Sequence, residues 1–205
     1  MSLVGKNRTV YSYQNKEKIG SKFLYKDMEK SNSYQTNFKD SDFSYASLRG
    51  AKSRYCNMSE CTFKETEFIG TNLHGTKFVN SKFEGAIFNA TVVDETNFKG
   101  AEFSGCYSIG NLSDAKNFDS TGIEFFERMP SQSEFSTGLI MSIERLRTND
   151  IIRRSQALHL KQGRINTLSL YILSKTYSEE QLIAFFDHFP EMVTTQFYTL
   201  SYVKT

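Results

Sequence analysis

Large apolar residues recur at every fifth position from Phe23 to Phe103: Phe23, Met28, Phe38, Phe43, Leu48, Met58, Phe63, Phe68, Leu73, Phe78, Phe83, Phe88, Val93, Phe98 and Phe103. Serine interrupts the series at Ser33 and Ser53. Two residues ahead of each stands a small or compact residue, as at Ser41, Ala46, Ala51, Cys56, Cys61, Thr66, Thr71, Thr76, Ser81 and Ala86. A helix cannot carry this period, because steps of about 100° per residue would turn successive large residues about 140° apart and leave no common face. A short extended segment can. Residues at i−2 and i point the same way along a strand, so one small and one large side chain enter an interior while the residue between them faces water. The remaining two residues turn a corner, and glycine often holds the last place, at Gly50, Gly70, Gly75, Gly85, Gly100 and Gly105.

Sorting the central residues by multiples of five tests how many sides make a coil. At a spacing of twenty, one column reads Phe23, Phe43, Phe63, Phe83, Phe103 and another Phe38, Met58, Phe78, Phe98. The column across a square from the first reads Ser33, Ser53, Leu73, Val93, without an aromatic. At a spacing of fifteen, phenylalanines and serines mix. The pattern predicts a four-sided β-solenoid in which a large wall faces a small one, as a fixed repeat period of this kind implies.

The units Thr71-Asn72-Leu73-His74-Gly75, Thr96-Asn97-Phe98-Lys99-Gly100 and Ala101-Glu102-Phe103-Ser104-Gly105 resemble the pentapeptide repeat family. The resemblance covers roughly residues 21–118 and implies a right-handed quadrilateral β-helix. It fixes the fold better than any activity.

The ends of the repeat are expected to be irregular. Lys26 falls on an inward small-residue position, which predicts a partly open first coil, and residues 1–20 form an N-terminal segment, a candidate cap. Gly110-Asn111-Leu112-Ser113-Asp114 and Ala115 fit only if one residue is dropped near Cys106–Ile109, and the solenoid is expected to finish by about Phe118. From 119 to 205 the period changes to a helical one. Ser178 with Gln181 makes a capping box ahead of Leu182, Phe185, Phe186 and Phe189. Further helices are predicted around Leu139, Ile140, Ile143 and Leu146, from Ile151 to Gln162 with a stop at Gly163, and after Pro190 through Met192, Val193, Phe197 and Leu200. Ile165 to Leu173 fits helix or strand. This mainly α-helical region is expected to cap the solenoid, to pair two copies as in several members of the family, or to dock a partner.

No apolar run in the first twenty residues resembles a signal peptide, and no stretch approaches the roughly 18 apolar residues of a membrane span, so a cytoplasmic protein without a membrane is expected. Cys56, Cys61 and Cys106 share the inward phase of the repeat and read as packing residues. His74, His159 and His188 lack the spacing of a metal site. Gly70 to Lys77 superficially matches a phosphate-binding loop, but its Lys and Thr are in the wrong order and its glycines are repeat corners. No catalytic residue, metal or cofactor is predicted; the competing expectation is an enzyme or docking domain hidden in 119–205.

Some family members bind type II topoisomerases, including DNA gyrase, and the resemblance implies mimicry of duplex DNA by an acidic rod. Here residues 21–118 carry twelve basic and twelve acidic residues, and the whole chain has a formal charge of +2. That balance makes a poor DNA mimic, and it also gives no strong footprint for binding nucleic acid directly. Outward positions that could meet a protein partner are Ile87 and Val92 on adjacent faces of one coil, the acidic pair Asp94 and Glu95, and the corner tyrosines Tyr25 and Tyr45, with Tyr55 on another corner. The expected function is that of a non-enzymatic interaction scaffold, with topoisomerase modulation as the alternative.

Overall fold

Backbone pairing advances by the same twenty residues as the apolar columns. The computed structural model describes residues 10–204. One wall is built of β1 (Ser12–Gln14), β2 (Asn32–Tyr34) and β3 (Lys52–Arg54), a second of β4 (Thr62–Lys64), β6 (Lys82–Glu84) and β8 (Glu102–Ser104). A third holds β5 (Glu67–Ile69), β7 (Ile87–Asn89), β9 (Cys106–Ile109) and β10 (Ile123–Phe126). Single parallel bridges, Glu17 to Asn37, Asn57, Lys77 and Asn97 in succession, make the fourth. The pairs among β1 to β9 are parallel and in strict register, with Tyr13 opposite Ser33, Phe63 opposite Phe83 and Phe68 opposite Phe88. The result is a four-walled β-solenoid.

Its bore is filled. Phe38, Phe43, Phe63, Phe68, Phe78, Phe83, Phe88 and Phe98 are all buried, and the rings stack up each column, Phe43 on Phe63 at 5.3 Å and Phe63 on Phe83 at 4.8 Å between centroids. Phe23 and Met58 are likewise buried. Phe103, the last ring of its column, is only half-buried.

The small inward residue contributes more than room. Thr66, Thr71, Ser81 and Thr96 each donate a hydroxyl to the carbonyl of the central residue one coil back, at Phe43, Leu48, Met58 and Leu73, over 2.7–2.8 Å. Thr76 does the same to Ser53, and the Cys61 and Cys106 thiols reach Phe38 and Phe83 at 3.0 and 3.4 Å. The Phe43 carbonyl also accepts from the Ala46 N–H at 3.0 Å, so both its lone pairs are used. Hydroxyl-bearing residues therefore join successive coils. Thr71→Val keeps the shape and removes one such bond, and the Leu48 carbonyl retains the Ala51 N–H. A loss of about 1 kcal/mol is expected in denaturant melts; a neutral result would show that the hydroxyl only fills space.

Every fifth residue from Asn15 to Gly110 has a positive φ, whether glycine or not. Tyr25, Tyr45 and Glu65 adopt it at 55°, 62° and 47°, a conformation that costs an L residue roughly 1–2 kcal/mol. At Gly75 glycine is required for a second reason, since a Cβ there would meet the Tyr55 ring at 2.5 Å. Asparagine and aspartate at the second position of a unit support the corner from the other side: Asn37, Asp42, Asn57, Asn72 and Asn97 each accept through Oδ1 from the N–H two residues on.

Both ends depart from expectation. Pairing begins at Ser12, ahead of residue 21, and Tyr13 packs edge-on against Phe23 and Phe38 at 6.1 and 5.7 Å, so residues 10–20 belong to the solenoid. The rest of the expected N-terminal cap, residues 1–9, lies outside the described residues. Lys26 is exposed. At the far end β9 keeps the twenty-residue register, with Tyr107 opposite Ile87 and Ile109 opposite Asn89. The slip comes later than Cys106–Ile109, because Lys116 pairs with Asn97, nineteen residues back. The sheet also runs past Phe118, since β10 adds to β9 and the Gly122 carbonyl accepts from the Cys106 N–H at 3.0 Å.

Backbone contacts divide the chain into two units, at Phe125 and Phe126. The second contains α1 (Thr137–Leu146), α2 (Asp150–Ser155), α3 (Thr167–Ser174), α4 (Glu179–Met192) and α5 (Ser201–Lys204). Helix α1 buries Leu139, Ile143 and Leu146, and α4 opens on the Ser178–Gln181 capping box and buries Leu182, Phe186 and Phe189. The ambiguous segment is α3, buried at Leu168, Leu170, Ile172 and Leu173 together; a helix enclosed on all sides loses the polar face that would have marked its period. Helix α2 is shorter than predicted. It ends at Ser155, where Gln156 turns left-handed at φ 59°. The helix expected after Pro190 is absent: α4 carries Pro190 in its last turn and stops at Met192, with Val193 extended.

Candidate interaction surface

The outward side chains of the solenoid form ladders of their own, because strict register places each one about 4.8 Å above its counterpart. Tyr25 and Tyr45 stack at a corner, 4.7 Å between centroids and 7° from parallel, and Tyr25 is 66% exposed. Both take left-handed backbone, and Tyr45 is half-buried. A second aromatic group, dispersed in sequence, gathers Tyr34, Tyr55 and His74: Tyr55 lies edge-on to Tyr34 at 5.7 Å, and its hydroxyl stands 2.8 Å from His74 Nε2. The Arg54 guanidinium covers the Tyr34 ring at 5.7 Å. The period alone could not show this group, which depends on the Tyr55 ring bending over Gly75.

The expected apolar patch does not form. Val92 is 41% exposed, but Ile87 is only 7% exposed. Ile87 stands between Glu67 and Tyr107 on its wall, and longer side chains one strand spacing above and below take up its flanks. Asp94 and Glu95 are exposed.

Opposite charges share one of the ladders. One wall reads Lys22, Asp42, Thr62, Lys82, Glu102. Lys64 bonds Glu84 at 2.8 Å and Lys39 bonds Glu60 at 3.2 Å, and each carboxylate raises the pKa of its lysine, chiefly through the hydrogen bond. The three thiols sit in the interior, where burial pushes Cys56 up to about 11 and Cys61 up to about 12. Protonated thiols of this kind are poor nucleophiles. Among the described residues no group of three His, Cys, Asp or Glu side chains could hold a metal ion, and no helix is long and apolar enough to cross a membrane.

The family model described as pentapeptide repeats (8 copies) matches residues 54–85. No curated protein matches the sequence. Solved structures similar to this chain include the pentapeptide repeat protein alr5209 of Nostoc Pcc 7120, at 18% identity over 49% of this chain and 84% of that one, with a TM-score of 0.46. A pentapeptide repeat protein of the Arabidopsis thaliana thylakoid lumen is 24% identical over 51% of this chain and 70% of its own, with a TM-score of 0.38. The plasmid-mediated fluoroquinolone resistance protein QnrB1 is 16% identical over 56% and 81%, with a TM-score of 0.27. With the five-residue register, the twenty-residue ladders and the matching family model in agreement, the β-unit of this chain is a pentapeptide repeat solenoid.

Proposed function

We propose that this chain is a non-enzymatic, cytoplasmic interaction scaffold whose solenoid offers a stiff ruled surface to a protein partner. The observation that carries the reading is the stacked pair Tyr25 and Tyr45, whose outer ring, Tyr25, is exposed on a solenoid with a filled bore. Exposed tyrosines supply large contact area at a small cost in side-chain entropy, which suits them to recognition. Affinity capture with the full chain, comparing wild type with Tyr25→Ser/Tyr45→Ser and reading recovered proteins by mass spectrometry, tests it. At least one protein should be recovered tenfold less by the double variant. Identical recoveries by two equally folded baits would sink the proposal.

Paired opposite charges on the outer walls argue against topoisomerase modulation. A duplex presents one negative charge per ~1.7 Å of its axis, whereas the outer walls neutralise Lys64 with Glu84 and Lys39 with Glu60. A DNA gyrase supercoiling assay, with and without a quinolone, is therefore expected to be unchanged at excess protein. Inhibition or protection at micromolar protein would replace the scaffold reading with the topoisomerase one.

A further inference from the structure

One wall of the solenoid carries its charges in two separate bands. Coil by coil, its outward side chains are Asn32 and Tyr34, Lys52 and Arg54, Asn72 and His74, then Val92 and Asp94, with Tyr55 and Glu95 on the corner beside Arg54 and Asp94. Lys52 and Arg54 make a basic band, Asp94 and Glu95 an acidic one, and the coil between them bears only Asn72 and His74. Elsewhere opposite charges on neighbouring coils bond directly, as Lys64 does to Glu84 and Lys39 to Glu60. Here the bands stand two coils apart, about 9.6 Å at the spacing of paired strands, close to the screening length at ~0.1 M salt. Among the described residues none of these four charged groups is in an ion pair.

A wall of this kind complements a copy of itself. Two copies packed face to face are related by a two-fold axis that lies in their interface. An axis along the strands, through Asn72 and His74, keeps each column in line with itself and reverses the order of the coils. Arg54 of each copy then faces Asp94 of the other, and Lys52 faces Val92. An axis along the solenoid instead exchanges the two columns and sets Lys52 against Arg54 in both halves. The charges therefore select the antiparallel arrangement. The exposed apolar groups of the wall fall where that arrangement uses them. Val92, 41% exposed, receives the aliphatic stem of Lys52. Tyr55, 46% exposed, bends over Gly75 and is held by the contact of its hydroxyl with His74, so the rings of both copies gather at the axis. Arg54 lies over the Tyr34 ring at 5.7 Å, and a guanidinium already positioned loses less freedom on pairing.

We infer that this wall is the contact between two copies of the chain, packed antiparallel, with Arg54 of each paired to Asp94 of the other around an aromatic centre. The face is one wall wide, so the dimer belongs to the weak class that buries less than about 1,200 Å². The corner of Tyr25 and Tyr45 is ten residues away in a coil of twenty, on the opposite edge of the solenoid, and stays free. Self-association of the pure chain is therefore read without any other partner and does not depend on the scaffold reading.

Sedimentation equilibrium of the full chain, from micromolar to millimolar concentration at low ionic strength, tests it. Wild type should pass from monomer to dimer with no larger species, because a two-fold contact closes. Arg54→Glu and Asp94→Lys should each weaken the dimer at least about tenfold, since each sets like charges together at both ends of the contact. An equimolar mixture of the two variants brings opposite charges together at both ends again and should associate as wild type does. Asp94 is exposed, so Asp94→Lys keeps the test open even where Arg54→Glu disturbs the Tyr34 ring. The proposal is overturned by a wild type that stays monomeric at millimolar concentration or by an Asp94→Lys variant that dimerises undiminished, as it would if the helical unit made the contact. A mixture of two folded variants that remains monomeric would overturn it as well.

Discussion

Phe63→Ala is expected to destabilise the solenoid by about 3–5 kcal/mol, the cost of a large aromatic lost from a closed core. Phe63 is stacked between Phe43 and Phe83 at 5.3 and 4.8 Å and flanked by Phe68 and Phe78, each at 5.4 Å. The neighbours cannot close the gap, because each ring belongs to a strand whose position is fixed by bonds to the coils on either side, such as Phe43 N–H to the Thr62 carbonyl at 2.9 Å. Interior packing of this density turns a missing ring into a cavity. Phe103→Ala removes the same ring from the last, half-buried place in the column. It should cost well under half as much, since Phe83 stacks on one face while Phe88, Phe98 and Phe118 approach only its edges. Urea melts of the full chain, following the β-unit by far-ultraviolet circular dichroism, separate the two. A loss below about 1 kcal/mol at Phe63, or equal losses at both positions, would refute the account of a closed bore that opens at its end.

The period made the solenoid legible because one residue in five must point inward at the same height on its wall, and that geometric demand writes itself into the sequence. Where the demand lapses, the reading drifts. Tyr13 belongs to the column of Ser33 and Ser53, and a tyrosine in a column of small residues breaks the pattern that marks membership. At the other end a single residue is lost between Ile109 and Lys116, and the position of such a slip depends on the backbone path rather than on side-chain type. In the helical unit the amphipathic α1 and α4 were readable, whereas α3, enclosed on all sides, had no polar face to set its phase. The candidate surface was readable where it follows the twenty-residue register, as at Tyr25 and Tyr45. It failed at Ile87, whose cover comes from neighbouring coils.

Arg49→Ala is expected to cost about 3–5 kcal/mol, as much as a core phenylalanine, because it breaks a buried ion pair from one side. Glu67 occupies an outward position of the repeat, yet its side chain is 3% exposed, and Arg49, 11% exposed, bonds it at 2.9 Å. Removing the guanidinium takes a charge-assisted bond away from a carboxylate that water does not reach. The wall itself suggests the rescue. One coil further on, the position of Glu67 is filled by Ile87, which is also buried, so this face accepts an apolar side chain. Arg49→Met/Glu67→Leu should therefore recover most of the loss and reach at least wild-type stability within about 1 kcal/mol, since buried pairs replaced together by apolar residues are often neutral or better. Melts of Arg49→Met, Glu67→Leu and the double variant complete the thermodynamic cycle. Additive losses would mean that Arg49 and Glu67 stabilise the wall by separate packing. A mild Arg49→Ala would mean that Glu67 draws its compensation from elsewhere, and in either case the ion pair would not be what holds this face together.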